Sequence, residues 1–85
     1  MLTLKECIDW SGLEEEEIEA IAEHEHIPDL AAVELGHYLL ATPEGRRRIK
    51  VMLADDLDRA SACGNRQHAA ALRRVLANYV RAHPD

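Results

Sequence analysis

Between Leu30 and Ala41 almost every residue is apolar, and only Glu34, His37 and Tyr38 interrupt the run. Apolar residues on nearly all sides of a helical wheel are typical of a helix that is surrounded by protein. We therefore expect this run to form the buried central helix of the fold. Glu34 and His37 lie on one side of this helix, and because the helix is expected to be buried, both side chains are expected to lie in the core. A carboxylate there is costly unless it has a partner.

Signals for helix starts recur along the rest of the chain, at Thr3, Ser11–Leu13, Pro28, Thr42 and Asn65. They are capping-box spacings, N-cap side chains and a proline at or near the first helical position. No segment alternates at period two for long enough to predict a strand. The 85 residues are sufficient for one domain. We expect residues 1–85 to form a single all-α domain, a compact bundle of about five short helices joined by tight turns.

The charges are divided unevenly along the chain. Residues 1–42 hold eleven acids and one Lys, a net charge of −10, whereas residues 43–85 hold nine bases and five acids, a net charge of +4. This asymmetry predicts pairing of the two halves, either within one molecule or head to tail in a homodimer. Within one molecule, the acidic second helix is the expected neighbour of the basic run Arg46–Arg48. The acidic half also predicts a protein partner with a basic surface, and Glu14–Glu17 would then act as an acidic decoy.

Several classes of function are not expected. Residues 3–21 resemble the first two helices of a helix-turn-helix, but the helix in the recognition position carries seven Glu and no Lys or Arg. Phosphate repulsion therefore predicts no nucleic-acid binding. The lack of a long apolar run and of a signal-peptide pattern predicts no membrane association and a cytoplasmic location. Cys7 and Cys63 are expected to be buried, reduced thiols. Without a phosphate loop or a nucleophile elbow, we assign no catalytic residue and expect no ordinary enzyme.

A candidate metal site comprises Glu25, Glu34, His37 and Asp56, which are expected on inward helix faces, together with His26 at the edge of the inward face of the second helix. The Glu-x-x-His spacing occurs twice, ending at His26 and at His37, and it places a carboxylate beside an imidazole. This spacing resembles that of ferritin-like carboxylate proteins. The resemblance implies iron or manganese as the cofactor, with a homodimer supplying two copies of Glu34 and His37.

The alternative for the same residues is a network without metal. In that interpretation His37 and Glu34 bond each other or a backbone carbonyl, Asp56 pairs with an Arg, and His68 also points inward. Such a network would only determine how the helices pack. Metal content would distinguish the two interpretations, because a packing network needs no metal for its stability.

From Thr3 through His26-Ile27-Pro28 to Thr42-Pro43-Glu44-Gly45, the chain resembles small all-helical bacterial proteins that carry no functional assignment. The resemblance implies one helical domain and implies no activity. We therefore expect a non-catalytic interaction or structural module. A small iron- or manganese-binding protein, completed by dimerisation, is the alternative.

Overall fold

The structure, a computed structural model, describes residues 2–84. Its five helices are α1 (Leu4–Ser11), α2 (Glu15–Glu25), α3 (Asp29–Leu40), α4 (Pro43–Ala62) and α5 (Arg66–Ala82). No strand occurs in this part of the chain. The predicted fold class, a small all-α bundle, is therefore confirmed.

Three helices begin where their capping residues predict. Thr3 and Glu6 form a reciprocal capping box, in which the Glu6 N–H donates to Thr3 Oγ1 at 3.1 Å. The side chains of Thr42 and Asn65 accept the backbone N–H groups that open α4 and α5. Each cap satisfies a donor that the first helical turn leaves unbonded, so the residue sets the start of its helix.

The start of α2 differs from the expected one. Ser11 is not its cap: it ends α1, is buried, and donates from Oγ to the Ile8 carbonyl at 2.6 Å. The chain then turns at Gly12, which has φ +87°. Glu14 is the N-cap, and its N–H donates to Glu17 Oε1 at 2.8 Å. Ser11 has the capping-box spacing with Glu14, but Glu14 itself becomes the N-cap because Gly12 adopts the left-handed turn that ends α1.

The helices form one continuous set of contacts in which α2 touches all four others. The most extensive pairing is the α4–α5 hairpin, and α1 packs on α3 and α2 alone. The core is made of apolar side chains from every helix, and those exposed by less than 2% include Ile18, Ile21, Val33, Ile49, Leu53 and Tyr79. Tyr79 satisfies its hydroxyl by donating to the Arg46 carbonyl at 2.8 Å. The central position thus belongs to α2.

The prediction of a central α3 was wrong. Its buried side consists of Ala32, Val33, Gly36 and Leu39, whereas Glu34 and His37 are exposed. A Cβ on Gly36 would lie 2.5 Å from the Leu13 side chain, so glycine permits close packing here. Small residues let one side of α3 approach α2 and α4, and the short α1 covers only part of the other side. Apolar residues therefore remain at the surface of α3.

The expected pairing of α2 with the basic run at the start of α4 was also wrong. Arg46 instead donates to the Leu40 carbonyl at 2.8 Å, at the end of α3. Arg47 lies 3.9 Å from Glu44 on its own helix. The ion pair that α2 makes with the basic half reaches α5, where Arg74 donates to Glu16 at 2.9 Å.

Two further expectations concern membranes and thiols. None of the helices in residues 2–84 combines the length and the apolar character that a membrane crossing requires. Both cysteines are free; Cys7 is half-buried, as a thiol packed against the core, whereas Cys63 is exposed. The prediction of a buried Cys63 was wrong because the residue lies beyond the last turn of α4, where no other helix covers it.

Candidate functional site

The five predicted metal ligands lie in different surroundings. Asp56 is buried, with 4% of its surface exposed, and Glu25 is half-buried. Glu34 and His37 face outward from α3, and His26 is an exposed residue in the left-handed conformation at the end of α2. The prediction that Glu34 and His37 point into the core was wrong. The structure therefore does not bring the five residues together within one molecule.

Asp56 and Glu25 belong to a different group of side chains, here called the carboxylate–histidine cluster. It joins the end of α2 to α4 and α5 and consists of Glu23, His24, Glu25, Asp55, Asp56 and His68. His24 Nδ1 lies 2.8 Å from Glu25 Oε2, and His24 Nε2 lies 3.5 Å from Asp55 Oδ2. His68 Nε2 lies 3.2 Å from Glu23 Oε1. Both histidines thus link α2 to a neighbouring helix.

Asp56 is the one member of the cluster with an unsatisfied buried atom. Its Oδ2 has no hydrogen-bond partner within residues 2–84. Burial is the largest influence on this carboxyl and raises its pKa, whereas the nearby imidazole of His24 lowers it. The ionised form of Asp56 is therefore destabilised, as expected for a charge removed from water without a bonded partner.

The cluster does not have the geometry of a formed metal centre. Within residues 2–84, no three His, Cys, Asp or Glu side chains converge on a common point that would hold an ion. Both ring nitrogens of His24 already face carboxylates, at 2.8 Å from Glu25 and 3.5 Å from Asp55. As it stands, the cluster is a set of imidazole–carboxylate contacts between helices.

Sequence reasoning identified Glu25, Asp56 and His68 but missed His24. The residue that could have indicated His24 is Ala20, which is buried together with Ile21. Their inward side continues one turn later to His24, as well as to Glu25. An apolar stripe that widens at a small residue indicates an additional packed neighbour, and Ala20 shares a pocket with Ala71, Leu72 and Val75 of α5.

A second region of interest is the groove between α1 and α3. It has a volume of about 300 Å³ and is lined by Leu2, Cys7, Trp10, Leu30, Val33 and Glu34. Three of its apolar side chains are more than half exposed: Leu2 by 66%, Trp10 by 59% and Leu30 by 53%. Single exposed apolar residues are ordinary, but several that line one groove form a surface suited to a partner.

Trp10 is held in place at the edge of this groove. Its ring stacks on His37 with 3.8 Å between ring centroids and 30° between planes. His37 Nδ1 in turn lies 3.4 Å from the Ser11 carbonyl oxygen. The histidine that was predicted to bind metal therefore supports an exposed indole. A positioned aromatic side chain loses little conformational freedom when a partner covers it.

The groove lies in the acidic half of the molecule. Glu34 is the charged residue of its lining, and Glu6 lies one turn before Trp10 on α1. Tyr38, which is 75% exposed, follows Glu34 by one turn of α3. The groove thus combines an apolar floor with an acidic border.

Comparison with protein-family models, with curated proteins and with solved structures finds no match to this chain. The function must therefore be argued from the geometry of the two regions described above, since a helical bundle as such implies no activity.

Proposed function

We propose that this protein is a non-catalytic interaction module that binds a helical protein segment in the α1–α3 groove. The observation that supports the proposal most directly is the exposure of Trp10 and Leu30 on the two sides of one groove. Tryptophan is enriched among the residues that dominate binding energy, and covering a large apolar side chain contributes about 1.5–3 kcal/mol.

The acidic border specifies the chemistry of the partner. Residues 1–42 carry a net charge of −10, and Glu34 lies in the groove itself. A segment with acidic flanks would be repelled, whereas one with Lys or Arg beside an apolar side chain would be attracted. We therefore propose an amphipathic helix whose apolar stripe is bordered by basic residues.

The acidic start of α2 is less suitable for the same role. Glu17 is 4% exposed and accepts the Glu14 N–H, and Glu16 pairs with Arg74. Half of the Glu14–Glu17 run is thus engaged within the molecule. A decoy that acts through this run has fewer free charges than the sequence indicates.

The experiment uses Trp10, the only tryptophan in the chain, as its probe. A synthetic amphipathic peptide of Leu and Lys is titrated into the protein, and a peptide of the same pattern with Glu in place of Lys is the control. We expect the Lys peptide to shift Trp10 emission to shorter wavelength, because it removes water from the indole. An unchanged spectrum with both peptides would contradict the proposal, and equal shifts would contradict its charge preference.

Matched variants test whether the groove is the binding surface. Leu30→Glu places a charge in the groove, while Val80→Glu places one on α5 at a side chain that is 39% exposed and lies outside it. We expect the first change to abolish the emission shift and the second to preserve it. Equal binding by both variants would place the peptide elsewhere.

A second candidate function is binding of a divalent metal ion such as Mn²⁺ or Fe²⁺ at the carboxylate–histidine cluster. The buried, unpartnered Oδ2 of Asp56 favours it, because a hard cation satisfies such an oxygen. Side chains would have to rearrange on binding, since no three potential ligands within residues 2–84 converge as they stand.

Calorimetric titration with Mn²⁺, together with elemental analysis of protein purified without an affinity tag, tests this candidate. Asp56→Asn should abolish the binding, whereas Asp58→Asn, an exposed change on the same helix, should leave it intact. A metal-free protein that gives no heat with Mn²⁺ and is equally stable with chelator would rule out the metal site.

A further inference from the structure

The outer side of α4 has the properties that the groove requires of a partner. Val51 is 56% exposed, and Arg47 and Arg48 precede it by four and three residues, on the same side of the helix. Lys50 is its exposed neighbour. An apolar side chain bordered by basic residues is thus displayed on a helix that is already folded. This surface, comprising Arg47, Arg48, Lys50 and Val51, is called the α4 outer face below.

The charges of the α4 outer face are hardly neutralised within the molecule. Arg48 and Lys50 make no ion pair with any residue in the range 2–84. Arg47 has one contact, at 3.9 Å to an exposed Glu44, and pairs of this kind contribute little. The positive charges of the α4 outer face are therefore largely available for a contact between molecules.

We infer that the occupant of the α1–α3 groove is the α4 outer face of a second copy of this chain, so that the protein associates head to tail. This inference rests on the proposed function, since it uses the same groove. Within one molecule Val51 and Trp10 are both exposed, so their surfaces do not cover each other. Only a contact between molecules can bring them together.

Charge also selects this arrangement over a dimer that pairs groove with groove. Two grooves facing each other would bring two halves of net charge −10 together, whereas groove against α4 outer face joins opposite charges. A head-to-tail pair keeps one α4 outer face free on one molecule and one groove free on the other. Association then continues to longer chains unless the rotation between copies closes a ring.

Two single variants and their mixture test the inference. Leu30→Glu disables the groove and leaves the α4 outer face intact, and Val51→Glu does the reverse. We expect the mass of the wild-type protein in solution to rise with concentration and each variant to remain a monomer. An equimolar mixture of the two should form a heterodimer, because the intact groove of one accepts the intact α4 outer face of the other. Val80→Glu should associate like the wild type.

Three results would each overturn the inference. The first is a wild-type protein that stays monomeric at every concentration, and the second is a mixture of the two variants that stays monomeric. The third is a Val51→Glu protein that still dimerises as a symmetric pair. Failure of the proposed function is separable from these results. If the Lys–Leu peptide shifts Trp10 emission while the wild-type protein stays monomeric, the groove binds a basic helix but the second copy is not its occupant. If neither occurs, both proposals fail.

Discussion

The imidazoles of the carboxylate–histidine cluster have partners within the molecule, although Asp56 Oδ2 has none, whereas the apolar side chains of the α1–α3 groove are largely uncovered. In the cluster, each of the two linking imidazoles lies within 3.5 Å of a carboxylate, and the contacts join α2 to its neighbours. In the groove, Trp10 and Leu30 are more than half exposed, although Val33 of the core lines the same groove. Polar groups that bond within the chain stabilise the fold, whereas apolar groups that remain uncovered are available for binding.

This contrast predicts that changes in the groove alter binding and changes in the cluster alter stability. Trp10→Ala should have the largest effect. We expect affinity for the Lys–Leu peptide to fall by about 2 kcal/mol or more, roughly thirtyfold, as at other tryptophan hot spots. The free energy of unfolding should change by less than about 1 kcal/mol, because more than half of the indole is already in water.

Anisotropy of a dye-labelled peptide measures this affinity without relying on the removed indole, and urea denaturation measures stability. Val80→Ala, an exposed apolar change on α5, is the control. If Trp10→Ala lost stability but kept full affinity, the indole would belong to the core, and the contrast between the two regions would fail.

In the cluster, Asp56→Asn should stabilise the protein at neutral pH by about 1 kcal/mol, since it removes a buried charge and keeps the shape of the side chain. The pKa of Asp56 is raised by burial. The folded protein therefore binds the Asp56 proton more tightly than the unfolded chain does. The stability that this proton provides is fully present below the unfolded pKa of about 3.9 and is lost as pH rises through the higher folded pKa. The variant lacks that loss.

Urea denaturation between pH 4.5 and pH 7 checks this prediction. The gain of the Asp56→Asn protein over the wild type should grow as pH rises. Asp55→Asn, at the neighbouring carboxylate, whose side chain is 53% exposed, is the matched control and should bring no such gain. A destabilised Asp56→Asn protein at pH 7 would indicate that the charge of Asp56 is needed by the cluster.

Glu34→Lys tests whether the acidic border of the groove contributes to peptide binding. Reversing this charge should weaken binding of the Lys–Leu peptide by about 1 kcal/mol at low salt, and by less when salt screens the contact. Lys50→Glu, a reversal outside the groove, should leave peptide binding unchanged. If net charge alone attracted the peptide, Lys50→Glu would strengthen binding about as much as Glu34→Lys weakens it, because the two changes shift the net charge by two in opposite directions.

The smallest effect is expected at Glu17, the other buried carboxylate with a raised pKa. Burial is the main cause, but the hydrogen bond from the Glu14 N–H acts in the opposite direction and favours the charged form. Glu17→Gln should therefore stabilise the protein at pH 7 by less than Asp56→Asn, by about 0.5 kcal/mol or less. Parallel urea titrations of the two variants make the comparison, and a larger gain at Glu17 would contradict the ranking.

Local signals were sufficient to predict most of the architecture. Thr3, Thr42 and Asn65 cap their helices as expected, and the break before α3 falls at Pro28. Each of these features depends on a few consecutive residues, which is why they can be read without the fold. The start of α2 was misplaced because Ser11 has the side chain and the spacing of a cap, whereas Glu14, which is not a preferred N-cap residue, takes that position after the turn at Gly12.

The candidate site was much harder to predict. Glu34 and His37 were expected inside because α3 is apolar on nearly every side, so its pattern does not show which side is covered. His24 was missed because the widening of the α2 stripe at Ala20 has meaning only when a second neighbour is known. Burial of a given side chain depends on residues far away in the chain, and short-range periodicity does not contain that information.

The residues alone are sufficient to predict an all-helical chain, its approximate helix boundaries and the opposite charges of its two halves. Helix packing determines which side of α3 faces its neighbours, which imidazoles contact carboxylates, and that Trp10 stacks on His37 in an exposed groove. The cause is the length of α1, which has eight residues and contacts α2 and α3 among the helices of residues 2–84. So short a helix cannot cover the outer side of a twelve-residue α3, and the groove is the part that it leaves exposed.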